Sequence, residues 1–174
     1  MSCLSIRGKE SVPADLAGAL RAFLGAESGQ HAASLALLQS LRDNVTMLTS
    51  NDSSPRAREI LQLYRAYLPS IKMRLPESAF EPARLTFAWS DTLLPTSPSR
   101  PAIGKPSYDY ENACVFFNEI ALVSRVAENR FQLFRAAGDD AAGHDAQKHF
   151  RAAAGMVVFL RDHIMSRCVA TPRS

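Results

Sequence analysis

The chain has 174 residues, 47% of them hydrophobic and 21% charged, with a net charge of +3 from 20 Lys and Arg against 17 Asp and Glu. That is the length of one domain able to bury a substantial core, with the composition of an ordinary globular chain. The charges are spread without a basic block, which gives nucleic-acid binding no support, and no run approaches the roughly 18 apolar residues of a membrane span.

Residues 3–7 alternate apolar and polar, which predicts a short strand. Pro13 then opens a helix with Leu16, Ala19, Leu20 and Phe23 on one face, stopped at Leu24 and Gly25. A second helix begins after Ser28 or Gly29 and carries Leu37, Leu38, Leu41, Val45 and Leu48 at helical spacing. Ser54 followed by Pro55 is an N-cap with proline at the first helical position, and Ile60, Leu63, Tyr64, Tyr67 and Leu68 give the third helix its apolar face. Pro69 predicts a kink or an end there, with residues 71–75 continuing as a helical turn or linker.

Beyond Pro76 the period changes. Leu85, Phe87 and Trp89 alternate with polar and small residues, the cleanest strand signal of the chain. Residues 92–106 form a proline-rich loop, with a short partner strand expected around Ala102 and Ile103 because a lone strand leaves its backbone groups unpaired.

Residues 107–137 lack proline and glycine and form the expected central helix. Ser107 caps it, and Asp109 and Glu111 lie in the first turn, where carboxylates favour the positive end of the helix dipole. Ala113, Phe116, Phe117, Ile120, Ser124, Ala127 and Phe131 share one face, while Val115, Leu122, Val123 and Val126 lie off it. A helix apolar on nearly all sides must be covered on at least two of them. From Glu128 onward it becomes amphipathic, with Phe131 and Phe134 inward. Gly138, Asp139, Asp140 and Gly143 make the turn to a last helix, over 145–168, whose small run Ala152, Ala153, Ala154 and Gly155 lets the central helix approach as an antiparallel hairpin. Its apolar surface, with Val158 and Phe159 flanking Leu160, exceeds what one hairpin partner needs. That surface packs on the second or third helix, or it awaits elements absent from this chain or a partner.

Catalytic chemistry finds no residue-level support. The four histidines, His31, His144, His149 and His163, have no metal-ligand spacing, and neither a phosphate-cradling glycine loop nor a nucleophile motif occurs. Asp145 and His149, one turn apart, read as a solvated pair. The expectation is therefore a protein that is not an enzyme, with no metal and no cofactor. Cys3, Cys114 and Cys168 are odd in number and far apart, as in a reducing compartment, so the expected location is the cytosol. Phe87, Trp89, Phe116, Phe117, Ile120, Phe150 and Phe159 are assigned to the core.

The ordered set L-T-F-A-W-S-D (85–91), Y-E-N-A-C-V-F-F-N-E-I-A-L-V-S (110–124), A-E-N (127–129) and A-Q-K-H-F-R-A-A-A-G-M-V-V-F-L-R-D-H-I (146–164) resembles the BRO (Bro-one-like) domain, the N-terminal domain of Alix, rhophilins and fungal pH-signalling scaffolds. The N-terminal C-L-S-I-R-G-K and the L-x-x-Y-x-x-Y-L of the third helix fit the same family. The resemblance implies a mainly α fold with a small antiparallel β-sheet, five main helices here, and a C-terminal tetratricopeptide-like helix hairpin. It also implies that residues 1–174 are the N-terminal part of a longer domain, whose later helices line most of the partner groove. The function implied is a non-enzymatic scaffold of the endosomal sorting (ESCRT) pathway, recruited from the cytoplasm to endosomes and binding the helical tail of an ESCRT-III subunit. The alternative is an adaptor linked to a small GTPase or to acidic membrane surfaces, and self-association through the last helix is a further option. Asp140 falls where family members carry a partner-contacting acidic residue; read from the residues alone it is a helix N-cap. Asp140 and His144 are the candidate partner-binding residues.

Overall fold

Helix boundaries follow from which side chains satisfy the free backbone groups at each end. The computed structural model describes residues 5–49, 51–90 and 102–166. Within them, α1 (Leu16–Leu24) is started by Asp15, whose carboxylate accepts the Gly18 N–H at 2.7 Å, so the cap lies two residues beyond the expected Pro13. Gly25 ends it with φ 56°, a left-handed value that suits glycine. A 3-10 segment, Gly25–His31, leads into α2 (Ala32–Thr46). Ser54 caps α3 (Pro55–Arg74) by accepting from Ala57, with Pro55 in the first turn as expected. Pro69 does not end α3. It lies on the exposed side, where water can satisfy the carbonyl its missing N–H leaves free, and buried Leu68 and Ile71 hold the helix in line.

The sheet consists of β1 (Phe87–Trp89) and β2 (Ile103–Lys105), antiparallel, with Ala88 opposite Gly104. The partner strand thus lies at the end of the proline-rich loop, whose residues 92–101 fall outside the described ones. The strand expected over 3–7 is displaced. Residues 3 and 4 are outside the description and Ser5, Ile6 and Arg7 form no strand; instead Ser11 bridges Trp89, Ser90 donates to the Glu10 carbonyl at 2.8 Å and Val12 to that of Ala88 at 2.9 Å. The upstream backbone is occupied elsewhere. Ser124 Oγ accepts from Ile6, and Asn118 both accepts from and donates to the Lys9 backbone at 2.7 and 2.8 Å.

The central helix, α4 (Tyr108–Ala137), is capped by Ser107 and closed by Gly138 in a left-handed C-cap. It divides the core in two. Cys114, Val115 and Leu122 face α1, α2, α3 and the sheet, with Phe87 and Trp89 fully buried among them. Phe116, Ile120 and Val123 face Ala153 of α5 (Asp140–Phe159) and Leu160 and Ile164 of the π-helical turn Leu160–Met165 that follows. The two-sided cover required of this helix is what the fold provides, and α4 with α5 forms the most extensive helix pairing of the described residues.

Two expectations about α5 are corrected. It starts at Asp140, so Gly143 lies inside the helix and not in the turn; a Cβ there would meet the Phe134 ring at 3.0 Å, and glycine allows that approach. The side facing α4 is the stripe Ala142, Ala146 and Ala153, whereas Ala152, Ala154 and Gly155 of the small run are exposed, because a helix can turn only about one residue in four toward a single neighbour. Cys168, the expected end of the helix, lies outside the described residues.

Candidate partner-binding surface

Asp139 provides the N-cap of α5, accepting from Ala141 and Ala142 at 3.0 and 3.2 Å. Asp140 is therefore not the cap. It occupies the first helical position, exposed, and His144 Nδ1 lies 2.8 Å from its carbonyl oxygen. The structure thus brings Asp140 and His144 together, one turn apart, at the tip of the hairpin. Both are exposed, and a negative charge at Asp140 suits the helix N-terminus.

The apolar surplus of α5 lies at its other end. Val157, Val158 and Phe159 are 44%, 49% and 45% exposed, and Met165 in the π turn is 51% exposed. No packing on α2 or α3 covers them to the degree the alternative expectation required. Phe159 is accordingly not a core residue. Its ring stands edge-on to Phe116 at 5.7 Å and against His163 at 4.9 Å, which leaves the outer side open. The reason is positional: three consecutive apolar residues cover over half a helical circumference, more than α4 can shield. Phe150 and Phe117 are half-buried, while Phe87, Trp89, Phe116 and Ile120 are buried as expected. From Asp140 to Phe159 the helix rises about 28 Å at ~1.5 Å per residue. The acidic tip and the apolar patch are thus separate features joined by one helix.

On the other side of α4 lies a polar cluster that the residue pattern did not assign. Glu111, expected as a first-turn carboxylate, is fully buried; it accepts from Trp89 Nε1 at 2.6 Å and from the Tyr64 hydroxyl at 3.0 Å. Arg42, also fully buried, places Nε 3.0 Å from Glu111 Oε1 as an ion pair, while its Nη2 donates to Ser11 Oγ at 2.6 Å. Burial pushes the Glu111 carboxyl up from its ordinary range, and Arg42, Trp89 and Tyr64 pull it back. Burial chiefly, then Glu111, drives the Tyr64 hydroxyl well up. The sequence did hold a signal: Arg42 stands on the stripe Leu35, Leu38, Val45, where a lone cation must find a buried partner. A second buried carboxyl, Glu119, is likewise raised by burial. It lies 3.5 Å from Arg65, whose guanidinium covers the Phe116 ring at 4.0 Å and donates to Asn112. These groups hold α2, α3, β1 and α4 together. None of them opens onto the α5 patch with a reactive geometry.

Among the described residues no group of three His, Cys, Asp or Glu could hold a metal ion, and no helix is long and apolar enough to cross a membrane. Cys114 is buried and in no disulfide.

Comparison with known proteins gives a consistent result. The family model described as BRO1-like domain matches residues 3–172. A curated relative, ALG-2 interacting protein X of Dictyostelium discoideum, is 28% identical over 131 residues, which is 72% of this chain and 16% of the relative. Among solved structures, ALIX in complex with the SIVmac239 PYKEVTEDL late domain superposes with TM-score 0.71 at 26% identity, over 99% of this chain and 25% of that one. The ALIX BRO1 CHMP4C complex superposes with TM-score 0.71 at 25% identity, over 100% of this chain and 48% of that one. The chain spans less than half the length of each of these proteins.

Proposed function

We propose, because the chain belongs to the BRO1-like domain family, that it acts as a non-enzymatic scaffold of endosomal sorting and binds the helical tail of an ESCRT-III subunit on the outer face of α5. The observation that carries this reading is the group of exposed Val157, Val158, Phe159 and Met165 at the end of a helix whose Ala142, Ala146 and Ala153 side packs on α4. Such a surface suits an amphipathic helix presenting apolar anchors at helical spacing. The likeness to a BRO1 domain solved in complex with CHMP4C supports the same class of partner. Asp140 and His144 then meet the polar end of the bound tail. A helix of about 19 residues reaches from the apolar patch to the tip. The α4–α5 hairpin, in this reading, is a tetratricopeptide-like pair on which further helices of a longer domain stack, and the protein works in the cytoplasm with recruitment to endosomes.

Titration of a fluorescein-labelled C-terminal ESCRT-III helix, followed by anisotropy, tests the proposal on the 174-residue chain and on a longer version carrying the helices that follow in relatives. The reading predicts binding that Val158→Asp abolishes, that Asp140→Arg weakens, and that persists at high salt. Loss of affinity on raising salt, with Val158→Asp neutral, would instead favour an adaptor for acidic membrane surfaces. Absence of binding to both versions would refute the ESCRT-III reading.

A further inference from the structure

We infer that the cleft between α1, α2 and α3 is a second docking site, independent of the α5 face, for a short amphipathic helix that carries acidic residues. The cleft encloses about 690 Å³, within the range of about 300–1,000 Å³ typical of binding sites. Its floor is apolar and fixed, with Leu20, Leu35 and Leu38 belonging to the first core. Its rims are not buried: Leu37 is 51% exposed on α2 and Tyr67 41% exposed on α3. Exposed leucine and tyrosine facing each other across a leucine floor are apolar surface that the fold itself does not use.

Shape and charge select the occupant. A small ligand site ordinarily buries about 70–90% of the ligand, which a trough with exposed rims does not do. A helix laid along the trough would insert anchors between the rims and keep its polar side in water. The lining holds one cation and no acid: Arg74 stands in the last turn of α3, His31 before α2 can add a ring N–H, and among the described residues no Asp or Glu lines the cleft. Arg74 makes no ion pair among the described residues. An acidic residue beside the apolar anchors therefore meets an available guanidinium, which can hold a carboxylate through two N–H groups. Tyr67 and Arg74 are also of the residue types that most often dominate the energetics of such interfaces.

The test is selection of 16-residue peptides from a displayed library on the intact chain, followed by titration of the selected synthetic peptides. The expected peptides share apolar residues at helical spacing with at least one Asp or Glu. Leu37→Glu should abolish their binding, Arg74→Glu should weaken it roughly tenfold, and Val158→Asp should leave it unchanged. All three residues are exposed, and circular dichroism of each variant confirms that the fold is kept. Selected peptides without acidic residues, or indifferent to Leu37→Glu and Arg74→Glu, overturn the inference, as does failure to select any. A dimer in sizing chromatography that Leu37→Glu disperses would assign the cleft to a second copy of the chain and likewise overturn it. Because Val158→Asp disables only the α5 face, failure here and failure of the ESCRT-III reading are separable.

Discussion

The two halves of α4 live in different environments. Up to Ala127 the helix buries residues on all its sides, including Glu111, Asn118, Glu119 and Ser124, and each of these polar groups has a role in joining elements distant in sequence. Beyond Ala127 no residue of α4 is fully buried, and of the buried α5 residues only Ala142 and Ala146 are left for it, since Ala153 packs with Phe116, Ile120 and Val123 of the first half. The first half is thus where the fold is fixed, with contacts that bring α2, α3, β1 and the N-terminal segment onto one helix. The second half, paired with the start of α5, is a two-helix projection with few buried side chains. Burial on all sides gives stability and little accessible surface; a projecting hairpin reverses that balance.

Mutation of the buried ion pair should separate the buried interior from the exposed outer face most sharply. Glu111→Ala leaves Arg42 charged and unpaired in the interior, a loss expected at about 3–5 kcal/mol in chemical denaturation. Val158→Asp on the exposed outer face of α5 should change stability by no more than about 0.5 kcal/mol. Similar losses for the two variants would contradict the division. A smaller effect is expected where the hairpin closes. Gly143→Leu drives a side chain into the Phe134 ring and should cost about 1–3 kcal/mol, less than Glu111→Ala because the ring is half-exposed and can yield. An unchanged midpoint would mean that the tip does not pack as described. A smaller effect again is expected at the start of α5: Asp139→Ala should cost about 1 kcal/mol and Asp140→Ala under about 0.5 kcal/mol. The reverse ranking in thermal denaturation would return the cap to Asp140.

These contrasts also mark how far the residue pattern reached. The helices, the alternation through Leu85, Phe87 and Trp89, and the need to cover α4 from two sides all follow from periodicity, because burial acts on every turn of an element and repeats along it. The Ser54 and Ser107 caps were legible for a local reason, a hydroxyl next to a helix start. The Arg42–Glu111 contact was not, since it joins residues 69 positions apart and neither neighbourhood names the other. Pro69 misled because its effect depends on whether it faces water, a tertiary fact. For the surface, the pattern showed an apolar surplus around Val158 and Phe159 without deciding between core and exposure; that depended on how much of a helical circumference α4 can cover. The choice of Asp140 over Asp139 as the contact residue came from resemblance, and the geometry leaves Asp140 exposed and uncommitted to capping.

Amide hydrogen exchange of the chain with and without a saturating ESCRT-III tail helix tests most directly the claim that the outer face of α5 is the working surface. The account predicts slowed exchange from Met156 through the π turn at Met165, with α1, α2 and α3 unchanged. Protection confined to α1, α2 and α3, or none in α5, would contradict it.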